Sequence, residues 1–114
     1  MSRRPSTHET SNLTPLMFQI LLSLSQGERH GYSVLQEIEE RTGGTFGIGA
    51  GTMYRSIKQL VDAGLITEGK RKPDIHRQRR YYRLSPAGKR RAAAEAHFFH
   101  GMVAWAKEAE VLET

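Results

Sequence analysis

The thirteen residues from Gly51 to Ala63 constrain the fold of this chain more than any other stretch. Their apolar members recur with the spacing of one helix face: Met53, Ile57, Leu60 and Val61. The opposite face collects polar and charged side chains: Thr52, Arg55, Lys58, Gln59 and Asp62. Gly64 follows, where a helix commonly ends. The pattern predicts an amphipathic helix whose outer face suits an anionic surface, although an ordinary surface helix would show the same periodicity.

A β-hairpin with a basic tip is predicted directly after this helix. Residues 65–70 and 80–84 read as its two strands, and Tyr81 and Tyr82 should point to opposite faces. Of the 17 Lys and Arg residues, ten fall within residues 70–91, where Asp74 is the only acidic residue. A local basic block indicates an anionic partner such as nucleic acid, although a solvated loop would show the same charge run. A basic-faced helix followed by a basic hairpin suggests a winged helix-turn-helix that binds DNA.

The residues before residue 45 supply two further predicted helices. Residues 1–12 are polar and should form a disordered arm. Thr14 and Pro15 mark the start of a helix that is apolar almost all round, so a sister subunit would cover its second side. A second helix follows His30, which should cap it. Its outer face is predicted to carry Gln36, Glu37, Glu39 and Glu40, an acidic set that suits support rather than phosphate contact.

The last predicted helix begins at Ser85 and Pro86 and could run about 27 residues, roughly 40 Å. From Phe98 onward its apolar residues have the spacing of a coiled-coil seam, which more readily zips against another subunit than folds back. The predicted dimer interface comprises Leu16, Ile20, Phe98, Met102, Trp105, Ala109 and Leu112. A pocket for an aromatic effector between subunits could be lined by Phe98, Phe99, Met102 and Trp105. A dimer core without a cavity fits the same residues.

The sequence lacks the residues that several classes of function require. The chain has no cysteine, which excludes disulfides and thiol chemistry and suits a reducing cytoplasm. No apolar run approaches the ~20 residues of a membrane span. His97 and His100 are a possible metal pair but read better as surface residues, and we expect no metal or cofactor. No catalytic constellation stands out, so an enzyme is not expected. An RNA-binding module and a protein-binding adaptor remain alternatives.

Four motifs, in this order and spacing, resemble the PadR-like transcriptional regulators, specifically the short form with a single C-terminal helix. They are His30-Gly31-Tyr32, Gly51-Thr52-Met53-Tyr54-Arg55, the stretch from Leu60 to Ile66, and the stretch from Arg80 to Gly88. The resemblance covers about residues 13–88. It implies a winged helix-turn-helix homodimer that usually represses transcription, with small-molecule effectors, often aromatic or cationic, that relieve repression. Met53 stands where the family more often has Leu, and Ala50 where it often has Pro.

The expected fold is mainly α with a small β-hairpin, a winged helix-turn-helix plus a long C-terminal helix. Its expected parts are the arm at residues 1–12, a DNA-binding domain at 13–85 and a dimerisation helix at 86–114. The partners implied are double-stranded DNA and a second copy of the chain. The predicted DNA-binding residues are Tyr32, Gly51, Thr52, Tyr54, Arg55, Lys58, Gln59, Arg71, Lys72, Arg77 and Arg79. We expect Thr52 and Tyr54 to hold phosphates, and Arg55, Lys58 and Gln59 to reach base edges. The four basic residues of the hairpin should supply salt-sensitive affinity.

Overall fold

The computed structural model describes residues 13–45, 47–69, 72–73 and 78–113. The predicted arm at residues 1–12 therefore lies outside the described residues, as do Arg71 and Arg77 of the predicted hairpin tip. Within the described part of the chain, no helix combines the length and apolar character needed to cross a membrane.

The described chain contains four α-helices. They are α1 (Pro15–Leu24), α2 (Gly31–Thr42), α3 (Ala50–Asp62) and α4 (Pro86–Glu108). The predicted helix starts are confirmed by their caps, since Thr14 Oγ1 accepts from the Met17 N–H at 3.0 Å and Ser85 Oγ accepts from the Gly88 N–H at 2.9 Å. Proline follows each of these two caps, where its missing N–H costs no helical hydrogen bond.

A small antiparallel sheet packs beside the helices. Strand β2 (Ile66–Glu68) and strand β5 (Tyr81–Leu84) form the predicted hairpin, with Ile66 opposite Leu84. Strand β1 (Arg29–His30) adds to the other edge of β5, where sequence analysis placed only a turn and a helix start. Two further short strands, β3 (Lys72–Pro73) and β4 (Gln78–Arg79), pair with each other. The described part of the chain is therefore a three-helix core with a three-stranded sheet, extended by α4.

The hydrophobic core joins α1, α2, α3 and the sheet. Ile20 and Leu21 of α1 are fully buried at its centre, against Val34 of α2 and Met53 of α3. The predicted inner face of the helix at residues 51–63 is confirmed, with Val61 only partly buried. Tyr82 is buried and Tyr81 is half-buried, as their alternation in the strand predicts.

One predicted interface residue and the predicted length of the last helix need correction. Ile20 has 0% of its surface exposed, because it is packed within its own chain, so it has no surface to offer a second subunit. The final helix is 23 residues long and ends at Glu108, so Ala109 is its C-cap and Leu112 lies beyond it. The place of Ala109 and Leu112 in a dimer interface stays a prediction. The chain turns at Glu110, which adopts a left-handed φ of 62°, and the Val111 N–H donates back to the Ala106 carbonyl at 2.9 Å.

Glu37 also departs from its predicted outward position. Its carboxylate accepts from Ser23 Oγ at 2.7 Å and from Arg41 Nε at 2.9 Å, and it forms an ion pair with Arg29. The side chain is only 15% exposed, because Ser23 of α1 and Arg29 of β1 lie against the side of α2 that carries Glu37. Chiefly the Ser23 hydrogen bond, and then the Arg41 bond, lower the pKa of Glu37 to about 2 against the opposing effect of burial.

The lowered pKa of Glu37 gives stability a defined pH dependence. We expect Glu37→Gln to lower the free energy of unfolding at pH 7 by about 1–2 kcal/mol, because charge-assisted hydrogen bonds to the carboxylate are lost. A lowered native pKa stabilises the fold fully above the ordinary value of 4.5, and this contribution disappears as pH falls towards 2. Urea unfolding of both proteins should therefore converge over that range. Glu39→Gln, at an exposed position of α2, is the matched control and should show no such convergence.

Candidate nucleic-acid interface

Helix α3 presents one continuous polar face to solvent. Its inner face is fixed by Met53, Ile57 and Leu60, all at most 2% exposed. This burial turns the opposite face outward, so the exposed residues of α3 include those that the sequence assigned to nucleic acid: Gly51, Thr52, Tyr54, Arg55, Lys58 and Gln59. The N-cap residue of α3 is Gly49, which has no side chain to accept a hydrogen bond from the first N–H groups of the helix. A helix start of this kind favours an anion such as phosphate.

The two cations on this face differ in their surroundings. Lys58 Nζ lies 3.3 Å from Asp62 Oδ2, in a surface ion pair that water and salt weaken. Arg55 Nη2 instead contacts Thr52 Oγ1 at 3.4 Å, a neutral hydroxyl. The guanidinium of Arg55 thus keeps donors available for a base edge or a phosphate, whereas Lys58 must exchange its carboxylate partner first.

Tyr54 joins α3 to the start of α2. A Cβ atom added to Gly31 would lie 2.7 Å from both Cε1 and the hydroxyl of Tyr54, so the phenol ring covers this glycine. The tyrosine nevertheless remains 44% exposed. The glycine of the His30-Gly31-Tyr32 motif therefore has a packing reason, because a Cβ atom at this position would push the Tyr54 ring aside. This contact fixes how the two helices meet at the surface.

Arg79 lies in strand β4, which pairs with β3 in the basic hairpin, and it reaches the same surface. We call the β3–β4 pair the hairpin stem. Its Nη1 atom lies 3.3 and 3.4 Å from the two ring nitrogens of His30, and its guanidinium carbon lies 5.5 Å from the centroid of the Tyr32 ring. Lys72 is the residue opposite Arg79 in the β3–β4 pair. The structure thus places Tyr32, Tyr54 and Arg79 around the start of α2, next to the outer face of α3.

Three other arginines of the basic block have carboxylate partners that sequence analysis missed. Arg80 Nε lies 2.7 Å from Glu68, Arg83 Nη1 lies 3.9 Å from Glu28, and Arg91 Nη1 lies 2.7 Å from Glu95. The block therefore carries less available positive charge than its composition indicates. The Arg91–Glu95 spacing of four residues on a helix was a readable signal, whereas the other two pairs join separate elements.

The second half of α4 exposes a row of large apolar side chains. Trp105 is 65% exposed and Phe98 59% exposed, while Phe99 stacks on Phe18 of α1 with ring centroids 5.4 Å apart. This exposed apolar row, which we name the α4 row, comprises Phe98, Phe99, Met102, Val103 and Trp105. All four residues predicted to contact an effector belong to the α4 row. Leu16, by contrast, is partly buried against the core of its own chain.

Among the described residues, no group of three or more His, Asp or Glu side chains is placed to hold a metal ion. His97 and His100 lie exposed on α4.

Helix α3 with its exposed polar face, the β2–β5 hairpin and the tyrosine contact between α2 and α3 define a winged helix-turn-helix protein. The family model described as the Transcriptional regulator PadR-like family matches residues 20–94. The chain therefore belongs to the PadR-like family of transcriptional regulators, as the sequence motifs indicated. No curated protein matches the chain.

Solved structures share this fold. A PadR family transcription regulator from Clostridium difficile R20291 is similar with a TM-score of 0.74 at 20% identity, over 83% of this chain and 97% of that one. A transcriptional regulator from Clostridium thermocellum gives 0.69 at 18% identity, over 95% and 97%. Bacillus subtilis PadR, solved in complex with operator DNA, gives 0.65 at 25% identity, over 75% of this chain and 48% of that one.

The contact between Gly31 and Tyr54 can be tested by a double-mutant cycle. We expect Gly31→Ala to cost about 1–2 kcal/mol of unfolding free energy, because the added methyl group displaces the phenol ring. In a Tyr54→Ala background the same substitution should cost much less, since the ring is gone. Urea denaturation of the four proteins measures the cycle. Gly51→Ala is the matched control, because a Cβ there meets open space. Equal costs of Gly31→Ala in both backgrounds would contradict the contact.

Proposed function

We propose that this protein is a homodimeric, sequence-specific DNA-binding regulator of transcription. The observation that carries the proposal is the outer face of α3, where Thr52, Arg55 and Gln59 stand exposed above a fully buried inner face. Tyr32, Tyr54 and Arg79 adjoin that face through the contacts at the start of α2. Membership of the PadR-like family supports the regulatory role, and the B. subtilis relative solved with operator DNA supports duplex DNA as the partner.

In the proposed complex, α3 enters the major groove. Arg55 and Gln59 then face base edges, since both are long, exposed and capable of bidentate hydrogen bonding. Gly51, Thr52 and Tyr54 lie at the start of α3, where the helix dipole and the N–H groups favour phosphate and set the register. Arg71, Lys72, Arg77 and Arg79 of the hairpin add sequence-independent affinity that falls with salt. Residues 13–85 form the DNA-binding unit.

Two copies of the chain would present two recognition helices to successive major grooves of a near-palindromic site. We propose that residues 86–108, through the α4 row, form the main dimer contact, with Leu16 and the neighbouring surface of α1 beside it. Large exposed apolar patches on a small protein commonly mark such interfaces. Bound to a promoter, the dimer would exclude the polymerase and so repress transcription. A flat aromatic or cationic effector stacking on Trp105 would relieve repression by changing the spacing of the two subunits.

The role of Arg55 gives a direct test of base reading. We expect Arg55→Ala to weaken binding to the preferred duplex by about 10- to 100-fold while weakening binding to unrelated duplexes far less, because a bidentate base contact discriminates by ~1–3 kcal/mol. Lys107→Ala, an exposed charge at the far end of α4, is the matched control for lost charge. Fluorescence anisotropy with both duplexes measures the ratio. An equal loss on both duplexes would remove Arg55 from base recognition.

The dimer contact is tested by placing a charge in the α4 row. We expect Trp105→Glu to convert the dimer to a monomer, because a carboxylate cannot be buried without a partner. Sedimentation velocity across a concentration series reports the assembly state. Gln36→Glu adds the same charge at an exposed position of α2 and should leave the dimer intact. If Trp105→Glu kept the mass of the wild-type assembly, the α4 row would not be the interface.

A further inference from the structure

The guanidinium of Arg79 contacts two rings at the start of α2. Its Nη1 atom is nearly equidistant from the two ring nitrogens of His30, at 3.3 and 3.4 Å, so it contacts the imidazole as a whole rather than one nitrogen in line. The guanidinium carbon also lies 5.5 Å from the centroid of the Tyr32 ring, within cation–π range. Tyr81 meets the same imidazole edge-on, with centroids 5.4 Å apart.

This arrangement requires the neutral form of His30. Its Nδ1 atom accepts a hydrogen bond from the Ser33 N–H at 3.1 Å, so that nitrogen presents its lone pair and carries no proton. Arg79 faces the imidazole from β4, Tyr81 faces it from β5 and Ser33 from α2. A guanidinium is always positively charged, so protonating the imidazole would set two cations against each other at contact distance. The same proton would remove the acceptor that caps α2.

The same residues connect the hairpin stem to the recognition helix. Arg79 belongs to β4, whereas His30 belongs to β1, where it pairs with Tyr81 of β5. The residue after His30 is Gly31, which lies directly under the Tyr54 ring of α3. A short chain of contacts therefore runs from the hairpin through His30 to the face of α3.

We propose that His30 is a positioning residue for DNA binding: the neutral imidazole, with Tyr32, holds Arg79 and thereby fixes the hairpin stem relative to α3. This inference rests on the proposed DNA-binding function. It assigns His30 a role beyond capping.

Two variants distinguish the contact between His30 and Arg79 from the capping of α2 by His30 and from the positive charge of Arg79. His30→Ser keeps an oxygen that can cap α2 but lacks the ring. Arg79→Lys keeps the positive charge but lacks the planar group that lies against both rings. The probe is a fluorescein-labelled, mixed-sequence duplex of about 30 base pairs, long enough for two half-sites one turn apart. We expect each single variant to bind about 5- to 10-fold more weakly at pH 8, and the double variant to bind within about twofold of either single, since contacting residues are not additive.

The double variant gives a readout that a merely structural role would not move. Thr14→Ala, which removes the N-cap of α1, is the matched control for a lost cap, and its loss should multiply with that of Arg79→Lys, because Thr14 acts through Met17 of its own helix. Losses that multiply in the His30→Ser/Arg79→Lys variant would overturn the proposal.

A measurement without DNA keeps the inference separate from the proposed function. Amide hydrogen exchange of the free protein should be faster in β4 and β5 of His30→Ser than in wild type and Thr14→Ala, because the stem has lost its attachment. If wild type bound no duplex, the DNA-binding function would fail, and the exchange result alone would decide whether His30 holds the stem. Unchanged exchange in His30→Ser would overturn the positioning role whatever the protein binds.

Discussion

The contact between the Tyr54 ring and Gly31 determines how the candidate DNA-binding surface is built. Helix α3 is oriented by its buried inner face, and its outer face meets the start of α2 where the phenol lies against a backbone that has no side chain. The neighbours of Gly31 then extend this joint. His30 caps α2, contacts Arg79 and pairs with β5, while Tyr32 also contacts Arg79. The residues around Gly31 thus connect α3, the sheet and strand β4.

The distribution of positive charge matters more than its total. Composition gives one basic block at residues 70–91, yet Arg80, Arg83 and Arg91 of that block each have a carboxylate within 4 Å. The Arg80 and Arg83 pairs are exposed or half-exposed and contribute little stability, whereas the Arg91–Glu95 pair is largely buried. All three pairs reduce the field that a phosphate backbone would meet. The charge that supports DNA binding is therefore concentrated on fewer side chains than the sequence indicates, with Arg55 on α3 foremost among those described.

Local patterns were readable from the sequence, and contacts between distant elements were not. The period of α3, its buried residues and the caps at Thr14 and Ser85 were predictable because each depends on neighbours within one or two turns. Strand β1 was missed because two residues show no alternation and acquire strand geometry only by pairing with β5. Glu37 was misplaced because its partners come from α1 and β1. The end of α4 was missed because Glu110, a non-glycine residue, takes the left-handed conformation that closes the helix. Motif spacing identified the family, whereas the roles of single residues on DNA stay predictions.

The most direct test of sequence-specific recognition is selection from a library of random duplexes at moderate salt, followed by sequencing. We predict enrichment of a two-fold-symmetric motif whose half-sites lie one helical turn, ~34–36 Å, apart. We also predict that Arg55→Ala relaxes the enriched bases without abolishing binding. Salt-sensitive binding with no enriched motif would contradict sequence reading by α3 and leave a non-specific nucleic-acid-binding protein. No binding to any duplex would contradict the DNA-binding surface itself and favour a winged-helix adaptor that binds protein.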